Sequence, residues 1–301
     1  MRCFPHAPDR LRLMACTWIC LLGLAGTAFC SSDMASHHCI MSLDHGTINW
    51  TTGTVTVTGR SGPRINRDNL PEADPGAARA DANRQLIHLL KQITIYNGLT
   101  VGQYAAQNDA IMAGIEKTAR DAVITRQYYT SALDVELTVQ TRILGGFLQL
   151  VLPDEIRQIP KINPDGLSDA RVEPGKIPYT GLILDVRELD FKPVLYPVIV
   201  SEQGGTIYSA VFISREFAVQ HGVGKYVCDM DTALQDSRTG GHPLVIRALR
   251  TSGKENTAIV ISTADAKQIE QATERHQFMK QCRVLFVTKN GNLTTQFKDG
   301  L

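Results

Sequence analysis

Apolar and polar residues alternate without a break from Leu133 to Ile143, so odd-numbered positions face a core and even-numbered ones face water. Thr54 to Thr58 repeats the pattern, with Val55 and Val57 set between threonines, and predicts a second half-buried strand. Between them the period changes. Ala78, Ala82, Leu86, Leu89, Leu90 and Ile93 recur at spacings of three and four, leaving Arg79, Asn83, Arg84, His88 and Lys91 outside the stripe. Asp74-Pro75 supplies the start of that helix, a carboxylate for orphan backbone donors followed by a residue that needs no donor. Thr100 with Gln103 resembles a capping box and opens a weaker helical stretch to about Lys117, interrupted by Asn108 and Gly114. Ala122 to Thr130 predicts another strand, Gly59 to Asp74 a long polar loop, and Gly145-Gly146 a bend.

From 153 to 178 the pattern lapses into prolines 153, 160, 164, 174 and 178, which predicts an extended linker because proline cannot donate to a ladder. Beyond it, Tyr179 to Arg187 reads as a buried strand. Val194 to Val200 and Thr206 to Phe212 flank Gly204-Gly205 as a hairpin, with Pro193 and Pro197 favouring an edge. Pro243 to Arg250 and Thr257 to Ser262 predict strands, Thr263 to Lys280 a helix capped by Ser262 or Thr263, and Arg283 to Thr288 a last strand. That spacing favours a crossover with the two flanking strands parallel. The expected class is α+β: two small domains, 44–152 and 179–290, each a mostly antiparallel sheet with helices packed on one face, joined by the Pro-rich linker.

Residues 1–28 have the layout of a secretory signal peptide: Arg2, Arg10 and Arg12, the apolar run Leu13 to Leu24, then Ala25, Gly26, Thr27 and Ala28. The apolar run falls short of the ~20 residues of a bilayer span. Any membrane attachment would come through an N-terminal anchor at Cys30, although Phe29 occupies a position where a lipid-anchor signal has a small residue. Losing three arginines and Asp9 takes the formal charge from +1 to −1, which offers no basic field for nucleic acid. Cys30, Cys39, Cys228 and Cys282 would then reach an oxidising compartment, where four thiols allow three pairings. Cys228 with Cys282, in the same domain, is the expected pair, and two buried free thiols are the alternative.

Few residues suggest chemistry. Asp185, Arg187, Glu188 and Asp190 cluster where the Tyr179 strand ends; they form either a polar ligand edge or a solvated ion-paired turn. His37, His38, Cys39 and His45 match no standard zinc spacing. Gly59-Arg60-Ser61-Gly62 lacks the lysine and hydroxyl residue of a phosphate loop, and no serine sits in a hydrolase elbow. No catalytic residue, cofactor or metal site is expected.

The succession of Ile48 to Gly59, Ala77 to Arg84 and Leu133 to Ile143 resembles the N-terminal domain of flagellar assembly protein T and the related outer-membrane lipoproteins, including flagellar assembly lipoprotein P. The second half resembles C-terminal regions of uncharacterised bacterial envelope proteins. The resemblance implies an exported, non-enzymatic assembly protein, periplasmic or outer-membrane-associated. Its partners would be envelope or flagellar basal-body proteins, or further copies of itself. A periplasmic binding module for a small polar ligand or cell-wall fragment is the alternative.

Overall fold

The computed structural model describes residues 38–152, 178–289 and 293–294, all within one compact unit spanning Ala35–Leu301. The expected signal segment, Cys30, His37 and residues 153–177 of the expected linker lie outside the described residues.

The first half opens with the hairpin β1 (Ile40–Leu43) and β2 (Gly46–Asn49), followed by β3 (Thr54–Ser61). The loop expected from Gly59 begins three residues later, at Gly62, and holds a short hairpin, β4 (Arg64–Ile65) with β5 (Pro71–Glu72), closed by the Asn66 side chain, which accepts from the backbone of Asp68 and Leu70 at 2.9 Å. Helix α1 (Pro75–Gln92) starts as Asp74 predicts, its carboxylate accepting from the Ala77 backbone at 2.9 Å. Then come β6 (Thr94–Tyr96), β7 (Leu99–Thr100), α2 (Val101–Ala105) and α3 (Asp109–Arg120). The capping box at Thr100 and Gln103 is formed in both directions. Asn108 splits the expected single helix because its side chain competes with helical bonding and caps the next one. The half ends with β8 (Val123–Tyr129), β9 (Val135–Arg142) and α4 (Gly146–Leu150).

A six-stranded sheet runs β8-β9-β3-β2-β1 and then to β18 (Leu293–Thr294), which pairs parallel with β1; the other pairs are antiparallel. Val55, Val57, Val135, Leu137 and Val139 are all buried, as their alternation requires. Helix α1 approaches β3 so closely at Gly59 that a Cβ there would stand 2.3 Å from both the Ala78 carbonyl and the Ala82 nitrogen. Gly59 is therefore a packing glycine, and the two alanines facing it let helix and strand approach.

The second half contains β10 (Gly181–Asp185), β11 (Val198–Ser201), β12 (Thr206–Tyr208), α5 (Arg215–His221), β13 (Lys225–Val227), α6 (Met230–Gln235), β14 (Pro243–Arg247), β15 (Arg250–Ser252), β16 (Ala258–Ile261), α7 (Thr263–His276) and β17 (Val284–Val287). The α+β class holds. The order β13-β17-β10-β14 makes a parallel sheet, and β12-β11-β16-β15 makes a second sheet with antiparallel outer pairs. Two expectations change. The crossover strands β16 and β17 do not pair, because α7 carries the chain from one sheet to the other. The hairpin β11–β12 is present, but β11 is internal; Pro197 precedes the strand and so removes no donor from its ladder.

The halves share one hydrophobic core running from Ile48, Trp50 and Leu148 to Leu195, Tyr226 and Phe286. Backbone bonds tie them together, with Leu195 donating to Thr94 at 3.1 Å, Tyr196 to Ile95 at 2.9 Å and Gly145 to Val219 at 2.9 Å.

Candidate functional site

The polar cluster expected at the end of β10 is brought together, and its members engage one another or close neighbours. Arg187 donates to both Asp185 oxygens, at 2.9 and 2.7 Å, and this hydrogen bonding holds the carboxyl below its ordinary range. Glu188 pairs with Arg247, and Asp190 accepts from Asn256 at 3.1 Å.

Carboxyl ends of parallel strands are where open α/β sheets usually bind ligands. Here the first half covers part of that edge. Cys39, just before β1, is disulfide-bonded to Cys228, just after β13, with their Cα atoms 5.6 Å apart. Thr288, following β17, places its hydroxyl 3.2 Å from the Cys39 sulfur. The expected Cys228–Cys282 pair is not formed, and Cys282 is a buried free thiol. The reason is register: β13 and β17 run parallel side by side, Cys228 follows one and Cys282 precedes the other. A strand of four residues, more than ~10 Å at about 3.3 Å per residue, separates them, beyond disulfide reach.

Two features had no clear sequence signal. The first is the two-sided exposure of β8, an outer strand of the six-stranded sheet, whose seven residues are all exposed. Val123 is 67% and Tyr128 60% accessible, and Ile124 and Tyr129 are exposed as well. Arg79 fixes the start of this strand to α1, donating to the carbonyls of Arg120 and Ala122 at 2.7 Å. The sequence predicts the strand, but its exposure on both faces follows from a sheet that extends past the helix covering it.

The second is a cleft of about 480 Å³ where the halves meet, at the amino ends of β13 and β17. Trp50 and Arg142 come from the first half, Lys225, Tyr226, Arg238 and Arg283 from the second. Trp50 packs edge-on against Tyr226, with ring centroids 5.6 Å apart, and its buried indole nitrogen has no hydrogen-bond partner among the described residues. The Tyr226 hydroxyl donates to the Val194 carbonyl at 2.7 Å, and burial pushes its ionisation upward. Arg238 donates to the carbonyls of Cys282, His221 and Gly222, each at 2.7 Å, and burial lowers its pKa. Lys225 is paired with Asp236. Segments so far apart in sequence carry no common motif.

Among the described residues, no group of three or more His, Cys, Asp or Glu is placed to share a metal ion, and no helix is long and apolar enough to cross a membrane.

Residues 181–290 match the family model of the second domain of Treponema pallidum Tp0624. The match covers roughly a third of the chain, includes the parallel sheet and the second sheet, and likens this half to a bacterial domain of uncharacterised type. It does not reach the six-stranded sheet or β8. No curated protein matches the chain.

Proposed function

We propose that the chain is an exported, non-enzymatic envelope protein that acts as an assembly module by adding a second copy of itself along β8. The observation that carries this is the exposure of every residue of that edge strand, four of them large and apolar. An edge strand offers unpaired backbone donors and acceptors, and proteins that remain single normally blunt such edges. The strand is also self-complementary. Its aliphatic end, Val123-Ile124, would lie beside the aromatic end, Tyr128-Tyr129, of an antiparallel copy, and such cross-strand pairs contribute about 0.2–1 kcal/mol each. Arg126 near the centre opposes its own copy and limits the affinity.

The Cys39–Cys228 bridge supports export, since disulfides persist in oxidising compartments. The leader-like residues 1–28 point the same way. Within this reading, a flagellum-associated role at the periplasmic side of the outer membrane rests on the resemblance of residues 48–143 to the flagellar assembly proteins. Basal-body or other envelope proteins would then be the further partners.

Sedimentation over a range of concentrations tests the proposal. The chain should shift from monomer to dimer as concentration rises, and Ile124→Lys should abolish the shift without altering the fold. A monomer at every concentration, or a dimer indifferent to Ile124→Lys, would overturn it.

A further inference from the structure

The cleft between the halves has a second character, independent of the β8 edge. Arg142, at the end of β9, is exposed at its rim and makes no ion pair among the described residues. Among the described residues, the Arg283 side chain, entering β17, has one long hydrogen bond, 3.4 Å to the Thr180 carbonyl. Arg238 spends three donors on carbonyl oxygens. Asp236, a lining carboxylate, is taken by Lys225. The lining thus combines three guanidinium groups that form no ion pair among the described residues with an apolar wall of Trp50, Leu144 and Phe217. Trp50 is only 6% accessible and adds a buried N–H that lacks an acceptor among the described residues. A buried donor without a partner is destabilising and favours any ligand that supplies an acceptor.

We propose that this cleft binds a small organic anion, with carboxylate or phosphate oxygens directed to Arg142 and Arg283 and an apolar part against Trp50. The volume falls in the range of small-molecule sites, about 300–1,000 Å³. Planar guanidinium groups favour oxyanions that accept two parallel hydrogen bonds. Because the two rim arginines come from different halves, binding would also tighten the joint between them.

Of the two tryptophans of the chain, Trp18 lies in the leader-like residues 1–28, so Trp50 is the single reporter in the protein without that segment, and in a Trp18→Phe variant of the full chain. Its fluorescence is titrated with succinate, with inorganic phosphate and, as a neutral control, with glucose, to about 10 mM, enough to reveal a Kd of about 1 mM. A saturable change with either anion and none with glucose is expected; the anion that acts identifies the ligand chemistry. Arg142→Ala with Arg283→Ala should weaken that binding at least tenfold, and Arg142→Lys with Arg283→Lys should restore part of it. Both side chains are exposed, so the folded core is untouched, and circular dichroism verifies it. No saturable change with either anion, or binding unaffected by loss of both arginines, would overturn the proposal.

Discussion

Cys282 is held where burial favours its neutral thiol. Burial pushes its pKa up to about 11 from an ordinary 9.0, against the opposing influence of the Arg238 guanidinium and the Tyr208 hydroxyl. Below pH 9 the thiol is neutral in both folded and unfolded chains, and its contribution to stability is fully present. Between pH 9 and about 11 the unfolded thiol ionises while the folded one does not, so stability falls by about 2–3 kcal/mol. Denaturant titrations should show this decline in the parent chain and a flatter curve for Cys282→Ala below pH 10, where the Tyr208 and Tyr226 hydroxyls begin to add to it. Equal slopes would show that Cys282 is not so buried. The same burial makes the thiol slow to alkylate in the folded protein.

Helix α1 and strand β3 meet at a contact with no slack. Gly59→Ala places a methyl group against backbone atoms of Ala78 and Ala82, which no side-chain rotation can relieve. Overpacking of this kind costs about 1–3 kcal/mol, and a shift in denaturation midpoint with unchanged slope measures it. A neutral substitution would mean the helix rides higher than described. Local elements of this sort were legible in the sequence. Asp74, Thr100 and the Ala78 to Ile93 stripe act within a few residues of themselves, so their spacing alone fixes where helices begin and which face is buried. The same holds for the alternation in β3 and β9. Sheet membership was not legible in that way: β16 and β17 flank one helix yet join different sheets, and β11 is internal despite Pro197 beside it. Such pairings depend on distant strands.

At the scale of the whole molecule, the disulfide joins residues 189 positions apart and so closes a long loop. Cys39→Ser should therefore lower stability by about 2–5 kcal/mol, read from the denaturation midpoint under oxidising conditions. A change below about 1 kcal/mol would mean that the shared core alone holds the halves together. Neither this bridge nor the basic cleft could be read from spacing, because Cys39 and Cys228, like Arg142 and Arg283, meet only once the halves pack. The polar cluster at Asp185 was legible, being local to one turn, and it is largely satisfied by its own ion pairs.

Assembly along β8 is the claim on which the functional account turns, and amide hydrogen exchange measured at low and high protein concentration addresses it most directly. The account predicts that the backbone amides within 123–129 that point away from β9 exchange quickly in dilute solution and become protected as concentration rises, while the buried strands β3 and β10 stay equally protected throughout. Unchanged exchange along 123–129 in a sample that has associated, or no association at any concentration, would contradict it.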